Sequence, residues 1–313
     1  MNRAVQFRSF GDPSVLEDRL LPDQAPGEGE VKILTIAVGV NPFDYKVRRG
    51  WIPTVAVDGW YGVGSDFSGV VTEVGDGSCY DTGEPIRVGD PVLGWTDRGA
   101  LQQQLIVPAN QVALKPADLS WSSAAAMIRP VVTAHAAIRE LQPRDGDTVL
   151  VSAASGAVGS LFSQLAVREG AIVIGTASEE RHSEIRDIGA IPVAYGEGVL
   201  DRIRAAAPGG VTHVQDNFGG GTVQLGVTLG VPTSRICTVV DYAAAADLGV
   251  RMPAAYERTA ERLAESARQF ANGELRLTIA REFTMDRARE AFMLLESGHP
   301  GGKIIILPQA QSA

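Results

Sequence analysis

The segment "TVLVSAASGAVGSLFSQLAVREG", residues 148–170, constrains this chain more than any other. An apolar run, "DTVLVSA", gives way to small side chains and then to apolar residues at helical spacing (Leu161, Leu165, Ala166), closing on Gly170. A strand that turns directly into a helix leaves the first helical amides without partners. Those amides and the helix dipole attract an anion wherever no side chain covers the backbone. Ala154-Ser155-Gly156-Ala157-Val158-Gly159 keeps the spacing of G-x-G-x-x-G with alanine in first place. Gly156 permits close approach of a pyrophosphate, and Gly159 permits tight packing of helix on strand. A close helix–strand crossing alone also tolerates small residues. The strand before, the helix after and a second strand, "AIVIGTA", at the right distance point instead to a dinucleotide held by residues 155–159 (Ser155, Gly156, Ala157, Val158, Gly159).

The end of the second strand discriminates between dinucleotides. An Asp or Glu there holds the ribose 2′-hydroxyl of NAD and repels a 2′-phosphate. Here the strand ends "IGTASEERH", which puts Thr176 or Ala177 in that place, with Ser178 and Arg181 just beyond. A hydroxyl and a guanidinium suit a phosphate, and Arg181 reads equally as a solvated surface charge. Glu179 and Glu180 argue for NADH, but both also read as first-turn helix acids. The balance favours NADPH over NADH.

Texture divides the chain. Up to about residue 120, short branched runs ("VKILTIAVGV", "FSGVVTEVG", "LQQQLIVP") alternate with Gly, Pro and Asp, which predicts a compact antiparallel or barrel-like unit. Beyond it strands and helices alternate, which predicts a parallel sheet with right-handed crossovers. "SWSSAAAMIRPVVTAHAAIREL" reads as a helix capped by Ser120 or Ser122, "ERHSEIRDIGA" and "YERTAERLAESARQFANGEL" as helices, and "VTHVQDNF" and "RICTVV" as strands. "GWYGVGSD" and "VVDYAAAAD" read as loops.

Composition excludes several classes. Net charge is −9 and no basic stripe carries interleaved aromatics, so a nucleic-acid partner is not expected. The longest small-apolar stretch is broken by Arg129 and Pro130, so no membrane span is expected. Cys79 and Cys237 form no disulfide framework, which fits a reducing cytoplasm. His135, His182, His213 and His299 are scattered, and no Cys or His spacing matches a zinc site.

The ordered set of motifs resembles the zinc-independent medium-chain dehydrogenase/reductases, in their quinone oxidoreductase and enoyl or alkenal reductase branch. "VGVNPFDYKVRRG" is similar to that family's asparagine motif, "GSDFSGVVTEVG" to its acidic turn, "AASGAVGSLFSQLA" to its nucleotide loop and "ESGHPGGKIIIL" to its C-terminal signature. "GDPVLGW" and "LQQQLIVPANQVALKP" match the strands that close its catalytic domain. The resemblance implies a GroES-like β-rich catalytic domain over 1–121, a Rossmann doubly wound domain over 122–265, and a return to the first domain over 266–313. Zinc-using relatives read G-H-E where this chain has Gly64-Ser65-Asp66. A homodimer is the family expectation, although Pro253 in "DLGVRMPAAYERT" predicts a short or poorly formed edge strand.

The same resemblance implies hydride delivery from NADPH to a quinone or an α,β-unsaturated carbonyl, a hydrophobic or aromatic small molecule. It places Asn41 in the cleft, Thr133 beside the nicotinamide, and Tyr195, Asn217 and Lys303 against the cofactor. Tyr45 is the candidate proton donor or substrate hydrogen-bond donor, or equally a core or cleft-wall aromatic. Asp44 reads as structural, paired with backbone or Arg48. Trp51 stands where enoyl reductases often carry a tyrosine, and with Trp60 and Tyr61 it predicts an aromatic pocket, though the last two also fit ordinary packing. Two other readings stay open: a dinucleotide-binding protein without catalysis, and a pathway enzyme using the same cleft for a non-redox step such as cyclisation.

Overall fold

The computed structural model describes residues 1–97, 99–253, 258–298 and 300–309. The chain divides into two units, one of residues 1–129 with 258–313 and one of residues 130–257. The division falls inside the helix Trp121–Leu141, between Arg129 and Pro130.

The second unit is built on a parallel five-stranded sheet. Its spatial order is Ile191–Ala194, Ile172–Ala177, Thr148–Val151, His213–Asp216, Ile236–Thr238. Val149, Leu150, Val151, Ile174, Val214 and Ile236 are all buried, as a parallel sheet covered on both faces demands. Chain order reverses between Thr148–Val151 and His213–Asp216, and the crevice at such a switch point is where doubly wound sheets bind ligands. Beyond Ile236–Thr238 a single parallel bridge, Cys237 to Arg251, precedes Pro253, so the edge is short among the described residues. Residues 254–257 of that stretch, and His299, lie outside the described residues.

One expectation fails here. "VVDYAAAAD" is not a loop: Tyr242–Leu248 is a helix, with the Asp241 carboxylate accepting from the Ala244 amide at 2.9 Å. An aspartate cap before four alanines is enough to start a helix.

The first unit is β-rich. A small antiparallel sheet joins Glu17–Leu21, Asn2–Phe7 and Tyr61–Gly62. A seven-stranded sheet runs Ile279–Thr284, Lys303–Leu307, Glu30–Val40, Asp66–Val74, Pro91–Trp95, Val112–Leu114, with Gln104–Pro108 also on Glu30–Val40. The 11-residue strand Glu30–Val40 shares one edge between two partners: Gln104–Pro108 along residues 30–34 and Lys303–Leu307 along residues 38–40. Its core gathers Phe7, Ile33, Val38, Phe67, Leu105, Phe292, Ile304 and Ile306. The C-terminal strand is thereby an integral part of the N-terminal sheet.

Candidate functional site

The glycine-rich junction sits at the carboxyl ends of the central parallel strands. Ser152 donates its amide to Gln215 O at 3.0 Å, and Ala154 donates to Thr176 O at 3.0 Å, so the turn is fastened to the strands on both sides. Ala153 takes the left-handed conformation (φ 47°), which an alanine adopts only under constraint. Its carbonyl accepts the Gly156 amide at 2.8 Å. The helix Ala157–Arg168 starts from Gly156 as N-cap, with no side chain capping it. The amides of Ala157, Val158 and Gly159 are therefore open donors at the positive end of a helix dipole.

Two glycines make this geometry possible. A Cβ at Gly159 would stand 2.3 Å from Ala153 O, so only glycine lets the helix lie this close to the turn. A Cβ at Gly175 would stand 2.6 Å from the Ala154 methyl. The alanine in the first motif position is thus accommodated by a glycine on the adjacent strand.

Below the junction, Asp216 is fully buried and ties three strand ends together. It accepts from Ser152 Oγ (2.8 Å), Thr238 Oγ1 (2.8 Å) and the amides of Phe218 (3.1 Å) and Gly219 (2.8 Å). Asn217 follows it, donating Nδ2 to Ser152 O at 3.0 Å and accepting from Gln215 at 2.9 Å. Both ends of that amide are committed to the protein.

Ser178 ends the second strand as the N-cap of the turn Glu179–Arg181, without a side-chain capping bond. Arg181 reaches Ser155 O at 3.5 Å and pairs with Glu184 at 2.7 Å. A guanidinium therefore stands against the glycine-rich turn. Tyr195 is exposed beyond Ile191–Ala194, its carbonyl held by Arg202. Thr133 lies half-buried in the helix Trp121–Leu141.

In the first unit the structure gathers a buried polar cluster. Asn41 is the N-cap of the helix Pro42–Arg48, and Asp44 accepts its backbone amide at 2.7 Å. The Asn41 side chain turns elsewhere: Nδ2 donates to Asp66 at 2.8 Å, and Oδ1 accepts from Lys303. Lys303 also donates to Val40 O at 2.9 Å. Asp66 further accepts the Arg129 amide at 3.1 Å, and the Arg129 guanidinium lies 4.1 Å from the Phe43 ring centroid. Gly39 lets the helix carrying Arg129 approach, since a Cβ there would meet Ala125 O at 2.4 Å.

Burial controls the charges of this cluster. It pushes the Asp44 carboxyl up to about 6, against the pull of Arg129. It brings the Lys303 ammonium down to about 8, against the pull of Asp66 and Asp44. At neutral pH the lysine is still an ammonium, and the asparagine amide is locked between it and a carboxylate. Asp44 engages backbone rather than Arg48, which is bound to Glu296 instead.

The aromatic residues separate. Tyr45 and Trp51 meet edge-to-face at 6.1 Å, and the Tyr45 hydroxyl has no hydrogen-bond partner among the described residues. Trp60 is clamped between the guanidiniums of Arg8 (4.2 Å) and Arg19 (4.0 Å) and is 8% exposed. Tyr61 stacks on Phe7 at 5.1 Å. Trp60 and Tyr61 thus have packing partners of their own.

Residues 27–117 match the family model for the alcohol dehydrogenase GroES-like domain, and residues 192–306 match the zinc-binding dehydrogenase model. The chain is 27% identical to quinone oxidoreductase of Salmonella typhimurium, over 98% of this chain and 100% of that protein. It is 31% identical to the synaptic vesicle membrane protein VAT-1 homolog of Rattus norvegicus over 75% of this chain, and spans 58% of that relative's length. The solved quinone oxidoreductase of Coxiella burnetii superposes with a TM-score of 0.85 at 27% identity, covering 98% of this chain and 99% of that one. The chain belongs to the medium-chain dehydrogenase/reductase superfamily, in its quinone oxidoreductase-like branch.

That family implies a nicotinamide cofactor, and the junction fits one. The open amides, the close approach that glycine allows at 156 and 159, and the adjacent guanidinium form an anion cradle at the switch point. Zinc, which one family model carries in its description, does not fit. Ser65 occupies the histidine place of G-H-E, and the nearby carboxylates Asp44 and Asp66 face Lys303 and Arg129. No group of three or more His, Cys, Asp and Glu that could hold a metal exists among the described residues.

Proposed function

We propose that this protein is an NADPH-dependent, zinc-free reductase of quinones or α,β-unsaturated carbonyls. The observation that carries the reading is the uncapped helix N-terminus at Gly156, set at the switch point with Arg181 against its turn. The helix amides hold the diphosphate, and Ser178 and Arg181 receive the 2′-phosphate. The reduced nicotinamide supplies hydride when bound. Asp216 holds the strand ends that support the cradle. Asn41, with both ends of its amide committed, fixes the position of the Lys303 ammonium and does not itself donate to substrate. Tyr45, whose hydroxyl is unengaged, is the residue able to pass a proton to the reduced product. The quinone oxidoreductases among its relatives support the acceptor class.

The test is a titration with NADPH and NADH, followed by turnover with a panel of quinones and enones on the same sample. Binding of NADPH in preference to NADH, with acceptor-dependent loss of its absorbance, is the expected result. Tight binding without turnover on any acceptor would overturn the reductase reading and leave a dinucleotide-binding protein. Conversion with NADPH omitted would favour a non-redox step.

A further inference from the structure

The second unit has another end. At the amino ends of its central strands, opposite the glycine-rich junction, an open cavity of about 420 Å³ is lined by ten residues, His213, Arg144, Ser234, Arg235 and Arg251 among them. His213 begins the strand His213–Asp216, and its side chain is 7% exposed. Its Nδ1 meets Thr212 Oγ1 at 2.9 Å, with Asp147 Oδ1 at 3.6 Å behind. Thr212 in turn donates to Asp147 (3.1 Å) and accepts the Thr148 amide (3.0 Å). The ring is fixed from one side, and Nε2 has no partner among the described residues.

The acids around it are mostly committed. Glu140 is paired with Arg251, which also donates to the Glu140 carbonyl at 2.9 Å. Asp147 accepts from the Arg144 amide (2.9 Å) and from Thr212. The guanidiniums of Arg144 and Arg235 and the Ser234 hydroxyl have no partner among the described residues, and Asp145 is the one lining acid without an ion pair there. Unengaged side-chain donors therefore outnumber unengaged side-chain acceptors around this cavity, which the buried His213 side chain also lines.

We propose that this cavity binds a small oxyanion, a phosphate monoester or a carboxylate, between His213 Nε2 and Arg235. The planar guanidinium matches the two oxygens of such a group, and His213, with Nδ1 donating to Thr212, takes up a proton at Nε2 as the anion binds and so donates the third contact. The site is separate from the nucleotide cradle, which lies roughly 13 Å away along a four-residue strand. The two strands it touches, Thr148–Val151 and His213–Asp216, are those that lead into Ser152 and end in Asp216.

An empty His213 is held below the ordinary histidine range by burial, with Arg235 and Arg251 adding to the effect and Asp147 opposing it. An anion at Nε2 reverses that balance and raises the titration midpoint of His213, whose other charged neighbours along the cavity are Glu140, Arg144 and Asp145.

The experiment is histidine-selective ¹⁵N NMR of the full chain at constant ionic strength, titrated with inorganic phosphate and, separately, with succinate. His213→Gln assigns the signal. A saturable displacement of the His213 resonance is expected, with its midpoint moved at least about tenfold by Arg235→Ala and not by Arg204→Ala. Arg235 and Arg204 are exposed, so both variants keep the fold. Saturation by phosphate identifies a phosphate ligand, and saturation by succinate alone identifies a carboxylate; both support the site. Displacement no larger than sodium chloride gives, or a midpoint indifferent to Arg235→Ala, overturns it.

Discussion

Gly159→Ala, set beside Gly156→Ala, separates the packing role of the junction from its binding role. The new Cβ would lie 2.3 Å from Ala153 O, 2.9 Å from Ala153 C and 3.0 Å from Ala154 Cα, all backbone atoms with no rotamer to escape into. Contacts below 3.0 Å are not tolerated, so the helix start must withdraw by about 0.7 Å. Overpacking of this kind costs about 1–3 kcal/mol, offset by up to about 1 kcal/mol from replacing glycine within a helix. The net loss is about 1–2 kcal/mol, which lowers Tm by roughly 2–8 °C. The withdrawn amides also lose alignment with a diphosphate, and one charge-assisted hydrogen bond is worth about 1.5–3 kcal/mol, or roughly ten- to a hundredfold in Kd. Gly156→Ala is the partner experiment. Its Cβ meets Ala153 O at 3.1 Å, so stability changes little, while the methyl covers the amides and NADPH affinity falls at least about tenfold. Differential scanning calorimetry and NADPH fluorescence titration read both quantities. Unchanged Tm and Kd in Gly159→Ala, or normal NADPH binding in Gly156→Ala, would refute the cradle.

Arg181→Ala is expected to weaken NADPH roughly tenfold and leave NADH unchanged; equal effects on both nucleotides would remove Arg181 from the 2′-phosphate site. Asp44 binds its proton more tightly folded (about 6) than unfolded (3.8), so its contribution to stability is full below the unfolded value and lost as pH rises through about 6. Asp44→Asn keeps an acceptor for the Asn41 amide and removes that slope, on the order of 3 kcal/mol, in urea unfolding measured from pH 4 to 7. Glu296→Gln strips the charge that Arg48 and Arg49 share; Arg48 is fully buried, so a loss of about 3–5 kcal/mol is expected in the same assay, and a loss below about 1 kcal/mol would refute it.

The nucleotide half was legible because its signals are local. The order strand, small residues, helix, strand is written contiguously from Thr148 to Ala177, and the backbone follows it. The polar cluster was less legible because its members lie far apart in sequence. Asn41 and Lys303 were singled out separately, but nothing in one sequence says that they touch. Arg129 registered only as a break in an apolar run, although a charge in "AAAMIRPVV" is itself a sign that a buried partner exists. Asp216 carries the same sign, an acid closing the strand "HVQD". Trp60 could be read from the sequence as pocket or as packing, because its neighbours Arg8 and Arg19 lie about 50 and 40 positions upstream.

The long strand Glu30–Val40 waits for a neighbour that the chain supplies about 270 residues after its start. Until Lys303–Leu307 emerges from the ribosome, residues 38–40 of that edge present bare amides and carbonyls, and Asn41 has no ammonium to face. The residues between 130 and 257 have by then all been synthesised, and their sheet needs nothing from later in the chain. The unit begun first is therefore the one closed last.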